Sequence, residues 1–218
     1  MKTTLLASLA LAVAFAGGAI AQDTAKPADK HDHKHDHPGH SHGKAEVGQP
    51  APNFTLKTVD GKEWSLSDAK GKLVVLEWIN PECPVCVRVM SDGTVAKTLS
   101  GVKELYPDAV YVAINSSAAR PSSLDGTGEY MKAHKIDLPA LLDSDGAVGK
   151  MYGAKTTPHC YVVSPEGTLV YAGAIDDGSN GGAKMNYVVN AAKQLKAGET
   201  VTPSETKPYG CSVKYKKG

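Results

Sequence analysis

Two runs of near-continuous apolar residues dominate the hydrophobic pattern: Leu73-Val74-Val75-Leu76-Glu77-Trp78-Ile79 and Ala109-Val110-Tyr111-Val112-Ala113-Ile114. Such runs, rich in branched residues, predict central strands buried on both faces. Between them, Val95, Leu99, Val102 and Leu105 recur at helical spacing after the break at Ser91-Asp92-Gly93. Strand, helix and strand make a βαβ unit, so parallel pairing with a right-handed crossover is expected. Before it, Ala51-Pro52-Asn53-Phe54-Thr55-Leu56, a turn at Asp60-Gly61-Lys62 and Trp64-Ser65-Leu66 predict a hairpin.

Residues 116–126 are a polar stretch and predict a loop, followed by a helix over about 127–136, a short apolar segment at 138–142 and a helical turn at 148–152. Cys160-Tyr161-Val162-Val163 and Thr168-Leu169-Val170-Tyr171-Ala172 flank Pro165-Glu166-Gly167, an antiparallel hairpin. Apolar residues at 185, 188, 189, 192 and 195 predict a final amphipathic helix. The glycine-rich 178–182 lacks the Lys-Ser/Thr pair of a phosphate cradle. The class is α/β, with a mixed central sheet flanked by helices and an N-terminal β-hairpin extension.

The ends of the chain differ from this middle. Lys2 is followed by an apolar and small-residue stretch to Ile20, closing on Ala19-Ile20-Ala21, which predicts a cleavable secretory signal over 1–21. The stretch is too short for a membrane span, so a soluble, exported protein of the periplasm or extracellular space is expected. Residues 22–45 read as a disordered leader with too little apolar surface to fold. It holds six of the eight histidines, His31, His33, His35, His37, His40 and His42. Flexible imidazoles at this spacing could converge on Zn, Cu or Ni, or the tract could be a solvated linker. Residues 46–200 then form one domain and 201–218 a C-terminal tail. Without the signal the chain carries 23 basic and 23 acidic residues, which gives nucleic-acid binding no electrostatic support.

The chemistry centres on Cys83-Pro84-Val85-Cys86. Cys83 falls just past a buried strand and directly before a helix, whose free N–H groups and positive end stabilise a thiolate; Pro84 suits the first helical position. Cys86 is then spaced to attack a mixed disulfide formed at Cys83. A structural staple and half a zinc site are the competing readings, but Cys160 and Cys211 lack the CxxC spacing that would complete a zinc set. Cys160 reads as a small core residue. Cys211, in the tail, could be a distal resolving cysteine, a docking thiol or a partner for Cys160. His159 could face the CxxC, and Arg88 could act on the thiolate or merely be solvated.

The run from Val75 to Cys86 resembles the strand and active-site turn of the thioredoxin superfamily, in its peroxiredoxin-like (redoxin, AhpC/TSA-type) exported branch. The likeness spans about 47–195, includes the Ala-Pro-Asn-Phe hairpin and Thr156-Thr157-Pro158, and extends to the tail motif Pro208-Tyr209-Gly210-Cys211. It implies a thioredoxin-like three-layer fold, a cis peptide bond at Pro158, a Thr157-Pro158 backbone platform for substrate, and Glu77 as the buried acid that handles the proton of Cys86. A buried carboxyl of this kind has a raised pKa.

True peroxiredoxins carry Pro-x-x-x-Thr/Ser-x-x-Cys. Counting back from Cys83 gives Leu76 and Asn80 instead, and from Cys86 Ile79 and Cys83. The expected function is therefore an exported thiol–disulfide oxidoreductase that needs no cofactor, acts on protein disulfides or thiols and exchanges electrons with a further redox protein. A thiol peroxidase and a Cu- or Zn-handling protein are the alternatives.

Overall fold

The computed structural model describes residues 43–178 and 183–216. The expected signal, the six leader histidines and most of the 178–182 loop lie outside the described residues.

Thr55–Thr58 (β1) and Glu63–Ser65 (β2) form the expected hairpin, and a 3-10 turn, Leu66–Ala69, follows. Val74–Trp78 (β3) is buried at every position. Pro84–Ser91 (α1) and Thr94–Leu105 (α2) are separated at Asp92 and Gly93, as the pattern predicted. Val110–Asn115 (β4) pairs in parallel with β3, so the βαβ unit is present. The stretch expected as a polar loop instead contains a short helix, Pro121–Asp125 (α3). Pro121 opens it at a position where the missing N–H costs nothing, and the apolar pattern is too short to reveal it. Thr127–His134 (α4), Ala140–Leu142 (β5), Ala147–Tyr152 (α5), Thr156–Thr157 (β6), His159–Val163 (β7), Leu169–Gly173 (β8), Tyr187–Lys196 (α6) and Cys211–Ser212 (β9) complete the chain.

Seven strands form one mixed sheet in the order β2-β1-β5-β4-β3-β7-β8. β3 to β4 and β4 to β5 are parallel, the other pairs antiparallel. Helices cover it on both faces in the expected thioredoxin-like arrangement. Because side chains alternate along a strand, β3 sends Val75, joined by Ile79 just past its end, into a cluster with Cys86, Val89 and Val162, and sends Val74, Leu76 and Trp78 into a second with Phe54, Tyr152 and Tyr161. Each fully buried Val, Leu or Ile contributes roughly 1.5–3 kcal/mol, and β3 feeds both clusters. The loop that carries Cys83 starts from the end of this doubly buried strand.

β6 and β9 form a separate two-stranded sheet, Thr156 opposite Ser212 and Thr157 opposite Cys211. The chain after α6 is thus folded back onto the domain. Val213 is buried and donates its N–H to the Lys155 carbonyl at 3.1 Å.

Candidate active site

The loop from β3 to α1 is held from below by Asn80. Its carboxamide oxygen accepts from the Glu82 N–H at 2.8 Å and from Ser123 Oγ of α3 at 2.8 Å, while its carbonyl accepts from the Cys83 N–H at 2.9 Å. Asn80, whose two oxygens accept within this loop and from α3, thus occupies the place where a peroxiredoxin has its threonine.

Cys83 is the N-cap of α1, with φ −89° and ψ 117°, and Pro84 follows in the first turn. Hydrogen bonding from the Cys86 thiol, assisted by Cys211 and by backbone N–H groups, pulls the Cys83 pKa down to about 4 against the opposing effect of burial. Cys86, one turn on and buried in the core, is pushed well above its ordinary value by burial and by the neighbouring Cys83 sulfur. The two thiols of the motif are displaced in opposite directions. Such a split is the pattern of a thiol pair in which one sulfur is ionised and the other keeps its proton.

Glu77 lies on the same face of β3 as these thiols, opposite Cys160 of β7, and is 1% exposed. Its Oε2 accepts from the Tyr111 hydroxyl at 2.7 Å, and its Oε1 has no partner. Burial raises the carboxyl to about 7, the Tyr111 bond opposing. A partly solvated glutamate at a sheet edge is thereby excluded. Tyr130 of α4, which the sequence did not single out, places a second buried and unpartnered oxygen, its hydroxyl, in the field of Cys86 and Glu77. Only its place in a helical apolar pattern signalled burial; nothing local signalled what it would face.

The Thr157–Pro158 peptide bond is cis, and the Thr157 carbonyl oxygen is 3.1 Å from Cys83 Sγ. Thr157 and Pro158 therefore stand directly beside the reactive cysteine. His159 does not. Alternation along β7 turns it to the face opposite Cys160, where Nδ1 accepts from the Lys155 N–H and pairs with the Tyr161 hydroxyl, each at 3.2 Å. Burial lowers it to about 4, so it stays neutral in the aromatic cluster. Arg88 is engaged rather than solvated. It bonds Asp92 and the Gly178 carbonyl at 3.2 Å and lies 5.9 Å above the Tyr209 ring.

Cys211 is the residue whose placement the sequence left most open. Its Sγ is 2.6 Å from Cys83 Sγ, not against Cys160, which is fully buried. All four cysteines are thiols. Among the described residues no three His, Cys, Asp or Glu side chains are grouped to hold a metal ion, and no helix is long and apolar enough to cross a membrane.

The model of the AhpC/TSA family matches residues 47–172. The thiol-disulfide oxidoreductase ResA of Bacillus thuringiensis subsp. konkukian is 27% identical over 128 residues, 58% of this chain and 69% of that protein. ResA of Bacillus subtilis is 29% identical over 123 residues, 56% of this chain and 64% of that one. Among solved structures, a hypothetical protein from Sinorhizobium meliloti 1021 superposes with a TM-score of 0.67 at 26% identity, covering 81% of this chain and 98% of its own.

Proposed function

The chain belongs to the AhpC/TSA family, and on that footing we propose that it is an exported thiol–disulfide oxidoreductase working through Cys83 and Cys86. The observation that carries this reading is the placement of the pair: Cys83 caps α1 directly after β3, Cys86 sits one turn on, and the cis Thr157–Pro158 segment brings a carbonyl oxygen to 3.1 Å from Cys83 Sγ. The two thiols are displaced in opposite directions, Cys83 down and Cys86 up. As a reductant, the Cys83 thiolate attacks a substrate disulfide, forming a mixed disulfide and releasing one substrate thiolate. Cys86 gives up its proton and attacks Cys83 Sγ, closing the Cys83–Cys86 disulfide and releasing the second substrate thiol. Two electrons pass from the dithiol to the substrate, and the reverse sequence oxidises it.

Cys86 needs a base, because its thiol holds its proton tightly. Glu77, at about 7, is matched to that task near neutral pH. The Thr157-Pro158 backbone is the platform against which an extended substrate lies. Asn80, which brings no hydroxyl to the threonine's place and whose oxygen accepts within the loop and from α3, argues for disulfide exchange over peroxide reduction. The N-terminal signal delivers the protein to an oxidising compartment, where a redox partner sets the direction of exchange.

Insulin-disulfide reduction by the purified chain tests the reading. Cys83→Ser is expected to fall to the rate of the thiol donor alone, and Cys86→Ser/Cys211→Ser, which also removes the thiol lying against Cys83, to accumulate a mixed disulfide on Cys83. Unchanged reduction by Cys83→Ser would refute it. N-terminal sequencing of protein recovered from a periplasmic fraction, starting at Gln22, checks export.

A further inference from the structure

The tail brings a third sulfur to the reactive centre in a manner that an incoming substrate would have to imitate. β9 is an extended strand lying antiparallel to β6, with Cys211 opposite Thr157, the residue before Pro158. Adding a strand beside a preformed edge is a general way for a protein to hold an extended peptide. Here the added strand belongs to the chain itself, and its cysteine lands on Cys83.

The approach is built. Gly210 has φ +117°, and a Cβ there would collide with the Thr157 carbonyl oxygen, so only glycine lets the tail come this close. On one side of the strand Tyr209 is fixed by the Arg88 guanidinium over its ring and by its hydroxyl on Asp176. On the other, the Lys214 carbonyl accepts from the Ala119 N–H at 2.8 Å and the Tyr215 hydroxyl donates to the Ala154 carbonyl at 2.8 Å. Anchored at both ends, β9 leaves Cys83 only 1% exposed.

We propose that Cys211 is a third redox-active thiol and that the Gly210-Cys211-Ser212 strand is an internal substrate, which exchanges with Cys86 for a disulfide to Cys83 and which an external cysteine-bearing strand must displace. This rests on the dithiol chemistry proposed above. The step is balanced: the Cys211 thiolate attacks Cys83 Sγ, the Cys83–Cys86 bond breaks, the Cys83–Cys211 bond forms, and the proton lost by Cys211 ends on Cys86. No net oxidation occurs. Burial, and next the Cys83 sulfur, raise Cys211 to about 11 while all the thiols are reduced. Once Cys83 is in a disulfide its negative charge is gone, and that part of the elevation goes with it. The tail thiol is therefore easier to ionise on the oxidised protein than on the reduced one, while burial, the larger cause, continues to hold it up. The strand also defines the class of substrate: an extended polypeptide segment with glycine immediately before its cysteine.

The test treats full-length Cys86→Ser and Cys86→Ser/Cys211→Ser with oxidised glutathione, then maps disulfides by non-reducing peptide mass spectrometry. In the single variant, glutathione added to Cys83 is expelled by Cys211, and linked Cys83–Cys211 peptides are expected to exceed glutathionylated Cys83 by at least about tenfold, because the competing thiol is already in contact. In the double variant glutathione stays on Cys83. Persistence of the adduct in the single variant at the level of the double overturns the proposal, as does pairing of Cys211 between chains only. Wild-type insulin reduction, measured alongside, reports on the dithiol reading separately, since the mass shift needs no substrate turnover.

Discussion

The two faces of the sheet bury polar groups to opposite effect. On the aromatic face each is paired: Trp78 Nε1 donates to Ser116 Oγ at 2.9 Å, Ser116 to Asp143 at 2.5 Å, and the Gly149 N–H to the same Asp143 oxygen at 2.8 Å. Tyr152 and Tyr161 donate to the carbonyls of Pro52 and Tyr152 at 2.7 and 2.9 Å. On the thiol face, Glu77 Oε1 and the Tyr130 hydroxyl stay unpartnered around Cys86; among the described residues Ser117 Oγ, in the loop after β4, is the third such atom. A buried polar group left unpaired costs about 1–3 kcal/mol. The paired face stabilises the fold, and the unpaired face keeps groups able to change protonation.

The largest expected effect bears on that contrast directly. At pH 6 a free cysteine near 8.5 is ionised in about 0.3% of molecules, whereas a thiol at about 4 is fully ionised, roughly 300-fold more. The pH profile of iodoacetamide modification, resolved by peptide, is expected to place the inflection of Cys83 near 4 with Cys160 unreactive. An inflection near 8 or 9 would erase the difference between the faces.

Next is Trp78→Ala, which empties the centre of the paired face. A loss of about 3–5 kcal/mol is expected in denaturant unfolding.

Glu77→Gln acts on the other face, with the opposite sign. A carboxyl at about 7 in the fold and about 4.5 unfolded binds more protons when folded, so wild-type stability is intact below 4.5 and falls as pH rises through 7. Up to about 3 kcal/mol is lost across that window. Glu77→Gln is expected to flatten this dependence and be the more stable protein at pH 8. It should also slow closure of Cys83–Cys86 by about 100-fold in stopped-flow measurements. Smallest is Tyr130→Phe, expected to stabilise by about 1 kcal/mol by removing an unpaired hydroxyl. A comparable loss would mean the hydroxyl has a partner in solution.

Much of this was legible beforehand for definite reasons. The continuous apolar run of β3 with one carboxylate in it announced a buried Glu77, because a doubly buried strand has no solvated side on which to put a charge. Cys83 at a strand–helix junction announced its capping position. Resemblance, not pattern, pointed to Pro158. His159 was open to misreading because its face depends on where β7 begins its alternation, and a shift of one residue reverses it.

By itself, the sequence determined the long strands and helices, since these depend on the periodic burial of neighbours along the chain, and it marked the dithiol by its spacing at a strand–helix junction. Only the tertiary structure decided what surrounds that dithiol. β6 and β9 are two residues each, too short to carry a period, and Cys211 reaches Cys83 across 128 positions of sequence. A contact of that span comes from how the packed sheet and helices steer the tail, a property of the folded chain that no local window contains.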